Sequence, residues 1–328
     1  MFDMKIFISI ASFEDPLLKY TIESCYENAR YKENLVFGVF DQSNDHLTFD
    51  SSINIRYKTC DPAESLGVCW ARSKVQTELM EDEDLYLQVD SHTLFGKDWD
   101  AYIIDQYVKA KTWVDKPILT GYTRSFIAVE TKESFNCNKD LVFLPKNEWD
   151  YPSYKASTYV LIADKPFHNG LHCRQTGRII APKQYKGFLL AGGFIFAENC
   201  WTKKVPYDPK IYFYGEESTL ALRTFTHGYD IVHVPNVPLW HQSYAENNKT
   251  QRKRHWETST KESSNKLLKA GEERANKVLS GQDIGKYGIG DKRTLKEYAC
   301  FSGINYKQRT FCPEKASFKV YENFGWEE

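Results

Sequence analysis

Short apolar runs separated by longer amphipathic stretches set the rhythm of the first third of this chain. Residues 5–11, 35–40, 53–57, 85–89 and 117–121 are short and mainly apolar, and they read as strands. Between them, 17–29, 67–80 and 99–113 carry apolar residues at helical spacing. Pro16 stands near the start of the first of these helices, a position proline tolerates. Strands alternating with helices predict an α/β fold with a mostly parallel central sheet flanked by crossover helices.

The pattern changes over 123–187, which is richer in Pro, Asn and Lys and has only short strand-like pieces at 141–144 and 158–162. Hairpins and loops over the sheet edge are expected there. The apolar run 188–197 follows, interrupted by Gly192 and Gly193. A glycine pair inside such a run implies a bulge or a close backbone approach. Residues 212–217 open a helix reaching about His227, with Gly228 as its stop. A strand at 231–234 and a rigid turn bounded by Pro235 and Pro238 then deliver Leu239, Trp240 and His241. From Ala245 onward the chain is polar and helical, with a basic cluster at 251–256 and a Gly-rich basic loop at 287–294 before a final short helix.

Composition narrows the classes. With 328 residues the chain can hold one large α/β domain with an appendage. Lys plus Arg is 43 against 44 Asp plus Glu, so no whole-protein charge draws it to nucleic acid. Aromatics reach 15%, which suits stacking surfaces as well as a core. No apolar run is long enough for a membrane span, and the N-terminal stretch lacks the pattern of a signal peptide. The 8 cysteines are scattered without a C-x-x-C pair, so reduced thiols and a cytoplasmic location are expected.

The chemistry concentrates at Asp90-Ser91-His92, directly after the apolar run 85–89. In extended backbone, positions i and i+2 point to one side, so a carboxylate and an imidazole would share a spot. That spot is the carboxyl end of a strand, where open α/β sheets place ligands. One oxygen and one imidazole nitrogen suit Mn²⁺ or Zn²⁺ better than Ca²⁺. On its own the triplet also fits a strand-end turn with a solvated Asp and a packed His.

Four blocks together carry a resemblance. They are Gly67-Val68-Cys69-Trp70-Ala71-Arg72, Gln88-Val89-Asp90-Ser91-His92, Phe213-Tyr214-Gly215-Glu216-Glu217, and the stretch from Tyr287-Gly288 through Arg293 to Tyr298. In order and spacing the chain resembles cytoplasmic-type glycosyltransferases that attach N-acetylglucosamine to polypeptide hydroxyproline or other hydroxyls. It is more distantly similar to polypeptide N-acetylgalactosaminyltransferases. The resemblance implies a GT-A fold, with a nucleotide-sugar-binding catalytic domain over 1–245 and a C-terminal helical extension over 246–328 that could act as a lid or acceptor-side element. It also implies a Mn²⁺ (or Mg²⁺) ion, a UDP-sugar donor, a peptide or glycan hydroxyl acceptor, and retention of anomeric configuration.

Site residues follow from the two readings together. Asp90 and His92 are the first two metal ligands, and His241, as related families use a late His, is the third. Ser91 would sit near ribose or phosphate. Arg72 can pair with a diphosphate through two parallel hydrogen bonds. Ser9, Ala11 and Ser12 would border uracil or ribose, and Gln42 or Asp41 could reach the base. Gly192 and Gly193 would let backbone approach the donor sugar. Glu216 and Glu217, with Asp90, are the catalytic candidates, although acids in a first helical turn are also favoured by the macrodipole. Arg252, Lys253, Arg254 and the loop 288–293, including Arg293, could close over the diphosphate. A non-catalytic nucleotide-sugar or carbohydrate-binding protein is the alternative in another class, and a metal-dependent hydrolase is a third.

Overall fold

A computed structural model describes residues 4–129, 140–143, 156–167, 173–242, 253–258 and 260–312. In chain order its strands are β1 Ile6–Phe13, β2 Leu35–Gln42, β3 Ile55–Cys60, β4 Leu85–Asp90, β5 Thr93–Phe95, β6 Pro117–Thr120 and β7 Tyr122–Val129. They continue as β8 Asp140–Phe143, β9 Thr158–Pro166, β10 Cys173–Ile180, β11 Tyr185–Gly187, β12 Phe194–Glu198, β13 Asp230–His233 and β14 Leu239–Gln242. The helices are α1 Leu18–Asn28, α2 Val68–Lys74, α3 Trp99–Lys111, α4 Cys200–Lys204, α5 Glu216–Thr226, α6 His255–Thr258, α7 Lys261–Leu279 and α8 Leu295–Ser302.

The central sheet has eight strands in the order β11-β13-β6-β12-β4-β1-β2-β3. β1, β2, β3 and β4 pair parallel, as does β13 with β6, which fits the expected crossovers. β12 departs from that pattern. It inserts antiparallel between β4 and β6, and β11 runs antiparallel to β13. The sheet is therefore mixed. The run 188–197 becomes strand only from Phe194, which leaves Gly192 and Gly193 in the turn that enters β12.

Both faces of the sheet are covered, and β4 shows why its run is nearly all apolar. Leu85, Leu87 and Val89 join one core with α1 and α3, through Leu18, Ile22, Trp99 and Ile103. Tyr86 points to the other core, with Ala71 and Val75 below and Trp201, Leu220 and Ala221 from α4 and α5. Parallel strands buried on both faces lose the alternation of a half-exposed strand. Each large apolar side chain enclosed here contributes about 1.5–3 kcal/mol.

Most strands of the segment expected to be hairpins and loops join β5 and β14 in a second sheet, in the order β10-β9-β7-β14-β5, with β8 on β7. β14 pairs parallel with β7 and antiparallel with β5, so His241 lies opposite Thr93. This pairing carries the late histidine back beside the end of β4. The helix expected over 67–80 ends its regular turns at Lys74 and continues as a wider π turn over Val75–Leu79. α7 lies along α5, and Gly215 can approach it closely because a Cβ there would meet Ala275 Cβ at 2.5 Å. Among the described residues no helix is long and apolar enough to cross a membrane.

Candidate functional site

A cleft of about 1130 Å³ opens where β1, β2 and β4 end and α2 and α5 begin. At its centre Asp90, His92 and His241 bring one donor atom each to within 4.8 Å of one another. His241 Nε2 lies 3.1 Å from Asp90 Oδ2 and 2.9 Å from His92 Nε2, while His92 Nε2 is 3.9 Å from the same oxygen. The first two do not meet through the strand pleat. β4 stops at Asp90, and Ser91 and His92 form a turn that folds the imidazole back over the strand end. Two imidazole nitrogens crowded against one carboxylate oxygen form a donor set that fits a divalent ion of the Mn²⁺ or Zn²⁺ type.

Each donor is held from behind. Asp90 Oδ1 accepts from Arg72 Nη2 at 2.5 Å, which leaves Oδ2 turned to the histidines. Arg72 also pairs through Nη1 with Glu216. Tyr207 donates to Glu216 Oε1 at 2.8 Å, and Gln88 Nε2 donates to Tyr207 Oη at 2.7 Å and to the Gly192 carbonyl at 2.6 Å. Arg72 thus lines the cleft while paired with two carboxylates. Burial resists charge on Asp90, but the His241 hydrogen bond, Arg72 and His92 more than offset it and hold the carboxyl well below its ordinary range.

His92 Nδ1 faces Asp15 Oδ2 at 2.7 Å, and Ser91 Oγ donates to that same oxygen at 2.6 Å. The backbone N–H of Leu17 donates to Asp15 Oδ1 at 2.9 Å. Burial pushes the Asp15 carboxyl up, yet the His92 ring, Ser91 and Leu17 outweigh it and hold the carboxyl below its ordinary range. Sequence reasoning passed over Asp15, Gln88 and Tyr207. Only the position of Asp15 just past a strand end could have drawn attention to it.

The glycine pair has a local cause. A Cβ on Gly192 would stand 2.7 Å from Arg72 Nη1 and 2.9 Å from Glu216 Oε1, and one on Gly193 would stand 2.9 Å from Asp90 Oδ2. The ion-pair network itself excludes side chains here. The backbone N–H of Gly192 donates to Glu217 Oε1 at 2.9 Å. Glu217 faces the cleft, and its carboxyl is pushed up to about 8, first by burial and then by Glu216 and Asp90.

Ala11, Ser12, Gln42 and Ser91 line the cleft with the metal-donor residues. Gln42 is already engaged, donating to the Ser12 carbonyl at 2.6 Å and accepting from Ser65 Oγ at 2.6 Å, so it braces the floor. Asp41 accepts from Tyr57 Oη at 2.7 Å. Two expectations are not met by the geometry. Ser9 is fully buried within β1, where its hydroxyl accepts from Tyr86 at 3.1 Å, and it does not line the cleft. Arg293 lies away from the cleft. It donates to the Tyr229 carbonyl, pairs with Asp230 at 2.9 Å and covers the Phe225 ring. Its loop packs on the C-terminal end of α5, where Lys292 N and Gly290 N bond Thr226. Lys253 and Arg254 do reach the cleft rim, and Lys253 pairs with Glu14 at 2.9 Å. Arg252 lies outside the described residues.

The mixed sheet with helices on both faces has the GT-A fold. The sequence profile of the Glycosyltransferase (GlcNAc) family matches residues 43–308, and the chain belongs to that family. The fold is similar to a crystal structure of GalNAc-T7 with UDP, GalNAc and Mn²⁺, with a TM-score of 0.51 and 12% identity over 98% of this chain. The chain spans 58% of the length of that GalNAc-T7 chain. A crystal structure of S. aureus TarS residues 1–349 with UDP-GlcNAc aligns at a TM-score of 0.46 and 10% identity, over 86% of this chain and 68% of that one. No curated protein sequence matches the chain.

Proposed function

We propose that this glycosyltransferase is metal-dependent and moves GlcNAc from UDP-GlcNAc to a hydroxyl on a peptide or glycan, with retention of configuration. The observation that carries the reading is the convergence of Asp90, His92 and His241 in the cleft of a GT-A sheet. The family's name points to GlcNAc, and GalNAc-T7, which shares the fold, was crystallised with UDP, a sugar and Mn²⁺. In this reading Asp90, His92 and His241 hold the ion, Mn²⁺ before Mg²⁺ because two of the three donors are nitrogens. A bound ion supplies Lewis-acid stabilisation of the charge that develops on departing UDP.

The chain's own groups divide the remaining work. Ala11, Ser12 and the braced Gln42 form the floor on which the nucleotide lies. Arg72 and Glu216 keep Asp90 aimed. Glu217, whose carboxyl burial pushes up to about 8, is placed to donate a hydrogen bond to a sugar oxygen. A front-face route then suits the site, with the leaving phosphate oxygen taking the acceptor proton. Residues 1–245 would form the catalytic unit and the region after 246 its acceptor-side cover. The test is calorimetric titration of UDP with and without Mn²⁺, followed by UDP release from UDP-GlcNAc with a hydroxylated acceptor. Tight UDP binding only with Mn²⁺, and release that depends on acceptor, is expected. Binding without any turnover across acceptors would instead favour a nucleotide-sugar-binding protein.

A further inference from the structure

Asp15 belongs to no part of the catalytic reading above, yet its carboxylate is enclosed directly behind His92. It sits in the turn between β1 and α1, and its side chain is 2% exposed. Glu14 before it has a left-handed backbone, φ 42°. Such a conformation is costly for a residue with a Cβ and persists only where the surroundings enforce it. In this turn Glu14 reaches the Lys253 ammonium on the cleft rim, while Asp15 lies buried against His92.

The contacts of Asp15 fix its role. An ionised carboxylate has only acceptor sites, so the groups around it must donate. Oδ1 takes the Leu17 N–H, and Oδ2 takes the Ser91 hydroxyl and faces His92 Nδ1 at 2.7 Å. The proton of a neutral His92 therefore resides on Nδ1. Its Nε2 carries the lone pair and points to Asp90 and His241. Without the carboxylate the imidazole could take the other tautomer, with a proton occupying the position that a cation needs. Carboxylate partners of ligating histidines orient the ring and raise its basicity.

We infer that Asp15 is a positioning residue that sets the His92 tautomer and ring plane for metal binding through Nε2. This rests on the proposed metal-dependent reading of the cleft. The test uses the full chain, Asp15→Asn, and Mn²⁺ alone as the probe. Asparagine keeps the shape but can donate its amide N–H to Nδ1, which drives the proton to Nε2. Calorimetry of the folded variant is expected to show Mn²⁺ affinity lower by about 10-fold to 100-fold. Nitrogen NMR of the metal-free proteins, with His92 assigned by its loss in His92→Gln, is expected to show Nδ1–H in the wild type and Nε2–H in the variant. A folded variant with wild-type Mn²⁺ affinity overturns the inference while leaving the metal-dependent reading intact. Wild-type protein that binds no Mn²⁺ overturns both. If Asp15→Asn does not fold, the wild-type tautomer decides: Nδ1–H supports the inference and Nε2–H overturns it.

Discussion

Arg72 and Asp90 lie on different elements, α2 and the end of β4, yet one guanidinium nitrogen of Arg72 sits 2.5 Å from Asp90 Oδ1. That contact divides the carboxylate between two tasks. One oxygen is bound to the protein, and the other faces His92 and His241. Arg72 also closes the network on Glu216, so a single cation ties α2, β4 and α5 together at the base of the cleft.

The first prediction concerns this cation. Arg72→Met leaves Asp90 and Glu216 without their shared partner in a site where Arg72 and Glu216 are almost wholly enclosed. Breaking a buried ion pair from one side costs about 3–5 kcal/mol. Urea unfolding of the metal-free protein should show a loss of that size, and Arg72→Lys should recover only part of it, because one ammonium cannot bridge both carboxylates with fork geometry. Wild-type stability in Arg72→Met would show that the network is not what holds α2 to the sheet.

Sequence patterns pointed to Asp90 and His92 because both follow an apolar run, although a turn and not the strand pleat brings them together, and His241 was named with the help of the resemblance. The parallel part of the sheet was legible too, since α1 separates β1 from β2 and α2 separates β3 from β4. The antiparallel insertion of β12 was not, because strand direction is not written in a run of apolar residues. Arg72 could be read as a ligand for anions but not assigned one, since the guanidinium fork fits carboxylates and phosphates alike. Its partners are 18 and 144 residues away. Asp15 is 77 residues from His92, and nothing in the local pattern joins them.

A second prediction separates the two glycines from their apolar surroundings. A Cβ at position 193 would press on Asp90 Oδ2 at 2.9 Å and reach His241 Cδ2 at 3.8 Å. Gly193→Ala should therefore displace the oxygen that faces the histidines. Overpacking of this kind costs about 1–3 kcal/mol in stability. Mn²⁺ affinity by calorimetry should fall by about 10-fold or more, as when a ligand's support is lost. An alanine variant that binds Mn²⁺ like the wild type would mean that Asp90 is free to move away without consequence.

Arg293 yields a third prediction, in the direction opposite to its sequence reading. Its guanidinium is spent on the Tyr229 carbonyl, Asp230 and the face of Phe225. Arg293→Ala should lower the unfolding free energy by about 0.5–3 kcal/mol, the range for loss of a partly buried network. UDP affinity in the presence of Mn²⁺ should stay at its wild-type value. A selective drop in UDP affinity with unchanged stability would return Arg293 to the diphosphate.

The last prediction turns on Glu217, whose carboxyl is pushed up from 4.5 to about 8, chiefly by burial, with Glu216 and Asp90 adding to it. The Gly192 N–H and Arg72 pull the other way without cancelling the effect. The folded protein thus keeps a proton on Glu217 over a range where the unfolded chain has released it. Stability falls with pH wherever the folded state binds more protons. The contribution of Glu217 is fully present below pH 4.5 and is lost as pH rises through about 8. Each unit of such a shift is worth about 1.4 kcal/mol, so the effect can reach a few kcal/mol. Glu217→Gln keeps the acceptor for the Gly192 N–H and cannot ionise. Its unfolding midpoint should therefore decline less than that of the wild type between pH 4.5 and about 8. In the mechanism proposed above the amide also remains a donor toward a sugar oxygen, so turnover at neutral pH should survive the substitution. Parallel stability profiles for the two proteins across that window would show that Glu217 is already ionised when the chain is folded.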